Sequence, residues 1–266
     1  MTENNFLKHN SQSYNQEGKG EVLLFIHGFC GSAHYWDELI PLLKDDYTVL
    51  CVNLRGHGGN KTDDSAIEIT DMARDLYHFL SQHSVDQVYM FGHSLGGYIS
   101  LAFAELFPSK LKGFGLIHST AFPDSDNAKE ARIESMNLID ERGLASFVDR
   151  LIPNLFSKDS LAQLKDKVSK VKEIGYGTDV NGAKGALMAM RNRPDRNHVL
   201  RETSKPVLLV AGEKDKVIPP EKVFSVEDSH IKTELLPKAG HMGMLETPEE
   251  LARIIKNWIK LSKLKH

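Results

Sequence analysis

The chain has 266 residues, of which 41% are apolar and 26% charged, with a formal net charge of −3. This is ordinary globular composition, enough for one large domain or one domain carrying an insertion. A pI near 6.5 excludes the basic footprint of a nucleic-acid binder, and the longest apolar run, VLLFI at 22–26, is far too short for a membrane span. The first twenty residues are polar and contain no apolar segment of the kind a signal peptide needs. Cys30 and Cys51 are the two cysteines, without zinc spacing. They are expected as free thiols of a cytoplasmic protein.

In chain order, residues 4–17 have room for a short hairpin only. Six short apolar runs then follow: EVLLFIHG, YTVLCVNL, DQVYMFGH, LKGFGLIH, KPVLLVAGE and KTELLPKAG. Continuous apolar runs of this length predict strands buried on both faces, as in a parallel sheet. Helical periodicity fills the intervals, in AHYWDELIPLLK and ITDMARDLYHFLSQH. LGGYISLAFAELFP is apolar nearly all round and predicts a buried helix ending at Pro108. The last helix is expected to start with Thr247 as N-cap, Pro248 at the first position and Glu250 completing a capping box. Alternating strands and helices predict an α/β fold, a mostly parallel central sheet with helices on both faces.

One interval departs from this rhythm. Residues 122–197 contain no buried-strand run and read as charged helices. They are expected to form a helical insertion, dividing the core into residues 1–121 and 198–266, because ordinary connections are far shorter.

The stretch FGHSLGG at 91–97 places a serine between glycines after a predicted strand and before a predicted helix. A sharp strand-to-helix turn there would push the Ser94 side chain out on strained backbone. Side chains at Gly92 and Gly96 would clash with the neighbouring strand and helix. The helix N-terminus would supply free N–H groups and partial positive charge beside the serine oxygen.

With HGFCGS at 27–32, NLRGHG at 53–58, GEKDKVIP at 212–219 and GHMGMLETP at 240–248, the chain resembles the α/β-hydrolase fold family over nearly its whole length. The resemblance implies a serine nucleophile, an oxyanion loop, an acid turn and a histidine loop in that chain order, with the helical insertion as a cap roofing the pocket. It implies no cofactor and no metal. A serine hydroxyl needs an adjacent base, and His241 is the candidate. Asp215 is the position the resemblance gives to the acid that orients it, with Glu213 and Asp124 as competitors. The backbone N–H groups of Phe29 and Leu95 are the expected oxyanion donors. His27, His57, His93 and Arg55 are expected to shape loops. Cys30, Phe122, Met136, Leu151, Phe156, Met188, Met190 and Met242 are candidate pocket residues, although several would serve equally well to pack the cap. Arg191 and Arg193 would either bind a substrate carboxylate or tie cap to core by ion pairs.

These residues imply a serine hydrolase that cleaves a carboxylic ester, lactone or thioester of a small molecule. Relatives that are haloalkane dehalogenases or epoxide hydrolases carry Asp at the nucleophile position, so Ser94 points away from both. Two alternatives share the motifs. One is a lyase or carbon–carbon bond hydrolase similar to a menaquinone-pathway synthase. The other is a small-molecule receptor of the same fold, since a scaffold alone does not define function. The chain is expected to be a monomer or homodimer without stable membrane association. Its basic C-terminal helix is read as a solvated face.

Overall fold

The computed structural model describes residues 14–62 and 66–264. Seven strands form one sheet in the order β1-β3-β2-β4-β5-β6-β7. They are β1 (Tyr14–Gly18), β2 (Val22–Ile26), β3 (Thr48–Val52), β4 (Val88–His93), β5 (Leu111–Ile117), β6 (Val207–Gly212) and β7 (Ile231–Leu236). β1 runs antiparallel to β3, and every other pairing is parallel. All six predicted strands are present, but β7, at the edge of the sheet, is only partly buried rather than covered on both faces. The strand content of 14–17 is the edge strand β1, and the rest of the expected hairpin lies outside the described residues. β4 and β6 are buried at every position, because both of their faces are covered.

Period-two alternation splits the side chains of β4 between two helical layers. Tyr89 and Phe91 meet Trp258 of the Pro248–Lys263 helix, at ring-centroid distances of 5.7 and 5.6 Å. On the opposite face, Gly92 abuts the buried Leu95–Leu106 helix. Phe25 extends the aromatic layer, stacking on Phe91 at 5.2 Å and leaning on Trp36 at 4.9 Å.

Between β5 and β6 the chain forms only helices. The longest, Asp126–Leu151, joins two stretches across a kink at Gly143, whose φ is 79°. Lys158–Gln163, Lys165–Tyr176 and Val180–Asn192 follow. No helix among the described residues is long and apolar enough to cross a membrane.

Two local expectations are corrected. AHYWDELIPLLK is a 3-10 turn, Ala33–Trp36, followed by a single helical turn, Ile40–Leu43. Pro41, which has no N–H to donate, stands at the start of that second turn. Thr247 precedes the last helix but does not cap it with its side chain. Its hydroxyl donates to the Gly243 carbonyl at 3.3 Å instead, and Glu250 lies 3.8 Å from Arg253. The lysines of that helix are not simply solvated, since Lys256 pairs with Asp46 at 2.7 Å and Lys263 with Glu21.

The glycines of FGHSLGG do what the sequence suggests. A Cβ on Gly92 would run into the Gly96 carbonyl, and one on Gly96 into the Ile26 carbonyl of β2. Both obstacles are backbone, so neither can swing aside. Gly96→Ala is therefore expected to lower the melting temperature by roughly 2–12 °C, from the ~1–3 kcal/mol typical of overpacking at ~2–4 °C per kcal/mol. Thermal unfolding followed by circular dichroism checks this, and an unchanged melting temperature would refute the close packing.

Candidate active site

The C-terminal ends of the parallel strands converge on one place, as the topology of open α/β sheets dictates. At the end of β4, Ser94 is held at φ 51°, ψ −113°, a region that costs a non-glycine residue about 1–3 kcal/mol. Backbone hydrogen bonds pin it. Its N–H donates to the Ile117 carbonyl at 3.0 Å. Its carbonyl accepts from Gly97 N–H at 2.9 Å and from the Ser119 hydroxyl at 2.7 Å. With its backbone so committed, the Ser94 side chain lines a cavity. The loop after β2 passes close by, and a Cβ on Gly28 would lie 3.3 Å from that of Ser94. Phe29 lines the same cavity. Leu95 is the first residue of its helix, where an N–H has no intrahelical acceptor.

Asp215 follows β6, and His241 follows β7. His241 Nδ1 and Asp215 Oδ2 are hydrogen-bonded at 2.7 Å, with both side chains buried. The other carboxylate oxygen accepts the N–H groups of Val217 and Ile218 at 2.8 and 3.0 Å. A second imidazole, His118 at the end of β5, brings Nδ1 to 3.5 Å from Asp215 Oδ2. Its Nε2 accepts from Gly243 N–H at 3.2 Å, which leaves the ring proton on Nδ1, facing the carboxylate. Burial alone would raise the Asp215 carboxyl, but the two imidazoles outweigh it and hold the group far below the usual carboxylate range. His118, Asp215 and His241 are also three metal-type ligands close together. In the 2.7 Å hydrogen bond His241 Nδ1 carries the proton shared with Asp215, so that nitrogen offers no lone pair to an ion in this arrangement.

The histidine loop is fixed from several sides. His241 N–H donates to the Leu155 carbonyl at 2.7 Å. The His241 carbonyl accepts from His93 Nε2 at 2.9 Å. The Glu246 carboxylate accepts from the N–H groups of Gly240, Met242 and Ser157, at 2.9, 3.1 and 3.0 Å. Glu246 and His118 escaped the sequence reading. His118 stands at the end of a predicted strand, but its approach to Asp215 follows only from the order of strands in the sheet.

The other motif histidines shape loops. His27 accepts from Leu54 N–H at Nε2, at 3.0 Å, and donates from Nδ1 to the Gly28 carbonyl at 2.7 Å. His57 donates from Nδ1 to the Arg55 carbonyl at 2.9 Å. Arg55 forms a two-point ion pair with Asp75 at 2.6 and 2.5 Å. Asn53 Oδ1 accepts Ala33 N–H at 2.7 Å. Desolvation pulls His27 down to about 3 and His57 to about 4, and lowers His93 and His118 as well.

The cavity has a volume of about 280 Å³, at the lower edge of small-molecule sites. It brings together Ser94, His241, Phe29, Phe122, Leu151 and Met190. Five predicted pocket residues do not line it. Cys30 is fully buried, and desolvation pushes its thiol up to about 12, which keeps it protonated. Met242, in the histidine loop, is fully buried, and Phe156 is buried beside Gly240. Met188 lies two residues from Met190, about 200° round the helix. Met136, a turn beyond Arg132, packs against the core. Glu213 is exposed, and Asp124 is engaged by Arg193 at 2.5 Å and Arg132 at 3.1 Å rather than by His241. Arg191 donates to the Asn192 side chain at 2.9 Å. Tyr98, Arg132 and Lys222 complete polar parts of the lining that the sequence reading did not identify. A second cleft, of about 300 Å³, opens beside Pro206, Ile231 and Trp258. It contains none of the three residues Ser94, Asp215 and His241.

Buried neutral histidines make stability depend on pH in a defined direction. An unfolded histidine takes up a proton near pH 6.5, whereas His27 and His57 resist until about 3 and about 4. Below 6.5 the unfolded state therefore binds more protons, and stability falls as pH falls through that window. Each such histidine contributes roughly 1–1.5 kcal/mol per pH unit. The melting temperature is expected to drop steeply between pH 6.5 and 4, with little change from 7 to 8. A flat profile between 6.5 and 4 in buffered thermal melts would contradict the burial of these rings.

Comparison with known proteins agrees with this fold. Residues 21–248 match the alpha/beta hydrolase fold family. A 2-(acetamidomethylene)succinate hydrolase of Mesorhizobium japonicum is 26% identical over 92% of this chain and 90% of its own. A thermophilic esterase from Thermogutta terrifontis, solved with malate bound, superposes with a TM-score of 0.90 at 26% identity, covering 94% of this chain and 93% of its own. The enol-lactonase from Burkholderia xenovorans superposes with a TM-score of 0.88 at 16% identity over 94% and 96%, a likeness of fold alone. The chain belongs to the alpha/beta hydrolase fold family.

Proposed function

We propose that this protein is a serine hydrolase that cleaves a carboxylic ester of a small molecule through an acyl-enzyme. The observation that carries the reading is the strained Ser94 turn opening into the same cavity as His241, whose Nδ1 is bonded to buried Asp215 at 2.7 Å. Strain of this kind persists only where surrounding structure holds it, and it concentrates at functional sites.

In this reading His241 Nε2 takes the Ser94 hydroxyl proton as Oγ attacks the ester carbonyl. Asp215 keeps the other ring proton on Nδ1 and stabilises the imidazolium. The N–H groups of Phe29 and Leu95 receive the oxyanion. Collapse expels the alcohol, which takes the proton from His241. Water, deprotonated by the same ring, then releases the acid and restores Ser94. The helical segment 122–197 serves as the cap, and its Leu151, Met190 and Ala128 roof the cavity. Relatives named as a hydrolase and an esterase support an enzyme of this class. The basic side chains Arg132 and Lys222 in the lining favour one second reading, a carbon–carbon bond hydrolase or lyase using the same three residues.

Hydrolysis of p-nitrophenyl esters from acetate to decanoate separates these. Wild type is expected to turn over the short esters best, given the small cavity. Ser94→Ala is expected to lose about 10⁶ in kcat and Asp215→Asn about 10⁴. Undiminished activity in Ser94→Ala would remove the nucleophile assignment. A folded wild type inert towards every ester would move weight to carbon–carbon bond cleavage.

A further inference from the structure

The cavity beside Ser94 is unbalanced in charge. Three cationic side chains line it, Arg132, Arg193 and Lys222, against one carboxylate, Asp124. Asp124 and Arg193 neutralise each other. Their side chains are each 5% exposed and bonded at 2.5 Å. Arg193 also donates to the carbonyls of Phe122 and Met190, at 3.1 and 2.8 Å. Its guanidinium lies 3.9 Å from the centre of the Tyr98 ring. Its Nε and Nη1 are both engaged, so it serves as a tie between the Val180–Asn192 helix and the loop after β5.

Arg132 and Lys222 are different. Arg132 is 26% exposed and uses its Nε to reach Asp124 at 3.1 Å. Among the described residues its two terminal nitrogens make no hydrogen bond. The Nε contact fixes the plane of the guanidinium and leaves its outer edge, the edge that fits a carboxylate, available. Lys222 sits in the short turn that follows the Asp215 loop. Its Nζ lies 5.0 Å from the centre of the Phe122 ring, and among the described residues it has no carboxylate partner. The ring holds the ammonium at the cavity by cation–π attraction. Three cations against one shared carboxylate thus leave two excess positive charges in a cavity of about 280 Å³ with the serine and histidine. A wholly apolar substrate would have to lie against them, whereas an anion satisfies both.

We propose that the substrate carries a carboxylate in addition to its scissile ester, and that Arg132 and Lys222 bind that carboxylate while Ser94 meets the ester carbonyl. Arg193 and Asp124 hold Arg132 in position and do not themselves bind the ligand. The proposal rests on the serine-hydrolase reading for the reaction, but not for the binding.

The test pairs two esters of equal chain length, 4-nitrophenyl hydrogen glutarate and 4-nitrophenyl pentanoate. Wild type is expected to favour the charged ester in kcat/KM by at least about tenfold at low salt, with the preference shrinking as salt is added. Arg132→Gln and Lys222→Gln are each expected to reduce the ratio of the two kcat/KM values by about tenfold. That ratio is insensitive to a general loss of folded enzyme, and Lys222 is exposed, so its replacement leaves the core untouched. A wild-type ratio at or below one, or variants that lower both substrates equally, would overturn the proposal. Binding supplies the independent arm. Calorimetry on Ser94→Ala is expected to give tighter binding of phenyl hydrogen glutarate than of phenyl pentanoate, and the Lys222→Gln change in that background is expected to abolish the difference. Charge-dependent binding without any ester turnover would sink the hydrolase reading and keep the carboxylate subsite. Turnover without charge preference would do the reverse.

Discussion

The backbone at Ser94 is the constraint on which the rest of the site depends. A positive φ at a non-glycine residue is unfavourable by itself, so the surroundings must compensate. Here β5 accepts the Ser94 N–H through the Ile117 carbonyl, and the Leu95–Leu106 helix and Ser119 take its carbonyl. That arrangement requires the helix to approach both β4 and β2 at backbone contact, which only glycine at 92 and 96 permits. One serine orientation is thereby coupled to the packing of three strands and a helix.

A second tightly determined unit supports it. Asp215 receives two backbone N–H groups and the imidazole of His241, with His118 alongside. These residues come from the ends of β5, β6 and β7, so the parallel sheet acts as the ruler that sets their separation. Burial of the surrounding histidines in neutral form keeps competing positive charge out of the site, because a second imidazolium beside His241 would be both desolvated and repelled. The same burial makes the fold acid-sensitive, so the electrostatics of the site and the stability of the scaffold are one property.

The helices between β5 and β6 connect to this unit through a few polar contacts. Leu155 accepts the His241 N–H, and Ser157 donates to Glu246, which also binds the histidine loop on both sides of His241. The Arg193–Asp124 pair, stacked on Tyr98, secures the far end of the segment. The cavity wall is therefore anchored to the same loop that carries the histidine, and a change in one would be felt in the other.

Much of this was legible in the sequence. The apolar runs of β2 to β6 specify a parallel sheet because strands buried on both faces need apolar side chains at nearly every position, whereas β7 is a partly exposed edge strand. GHSLGG specifies a strained strand-to-helix turn because glycine alone tolerates such close backbone approach. The Ser94, Asp215 and His241 sites were readable because each follows a predicted strand and lies in a motif that resembles the family's, in the family's chain order. The pocket was not. Met188 and Met190 are chemically alike, yet one lines the cavity and the other does not, since helix rotation sets their directions. Cys30 sits in the loop after β2 beside the cavity residue Phe29, yet its thiol is enclosed. Arg132, Lys222 and His118 come from separate elements with no shared spacing, and the sequence assigns them no common place. Local chemistry and periodicity determined the sheet, the elbow and the order of the polar residues. Only the tertiary structure decided which side chains face the cavity and which charges there lack partners, because both depend on groups brought together from distant parts of the chain.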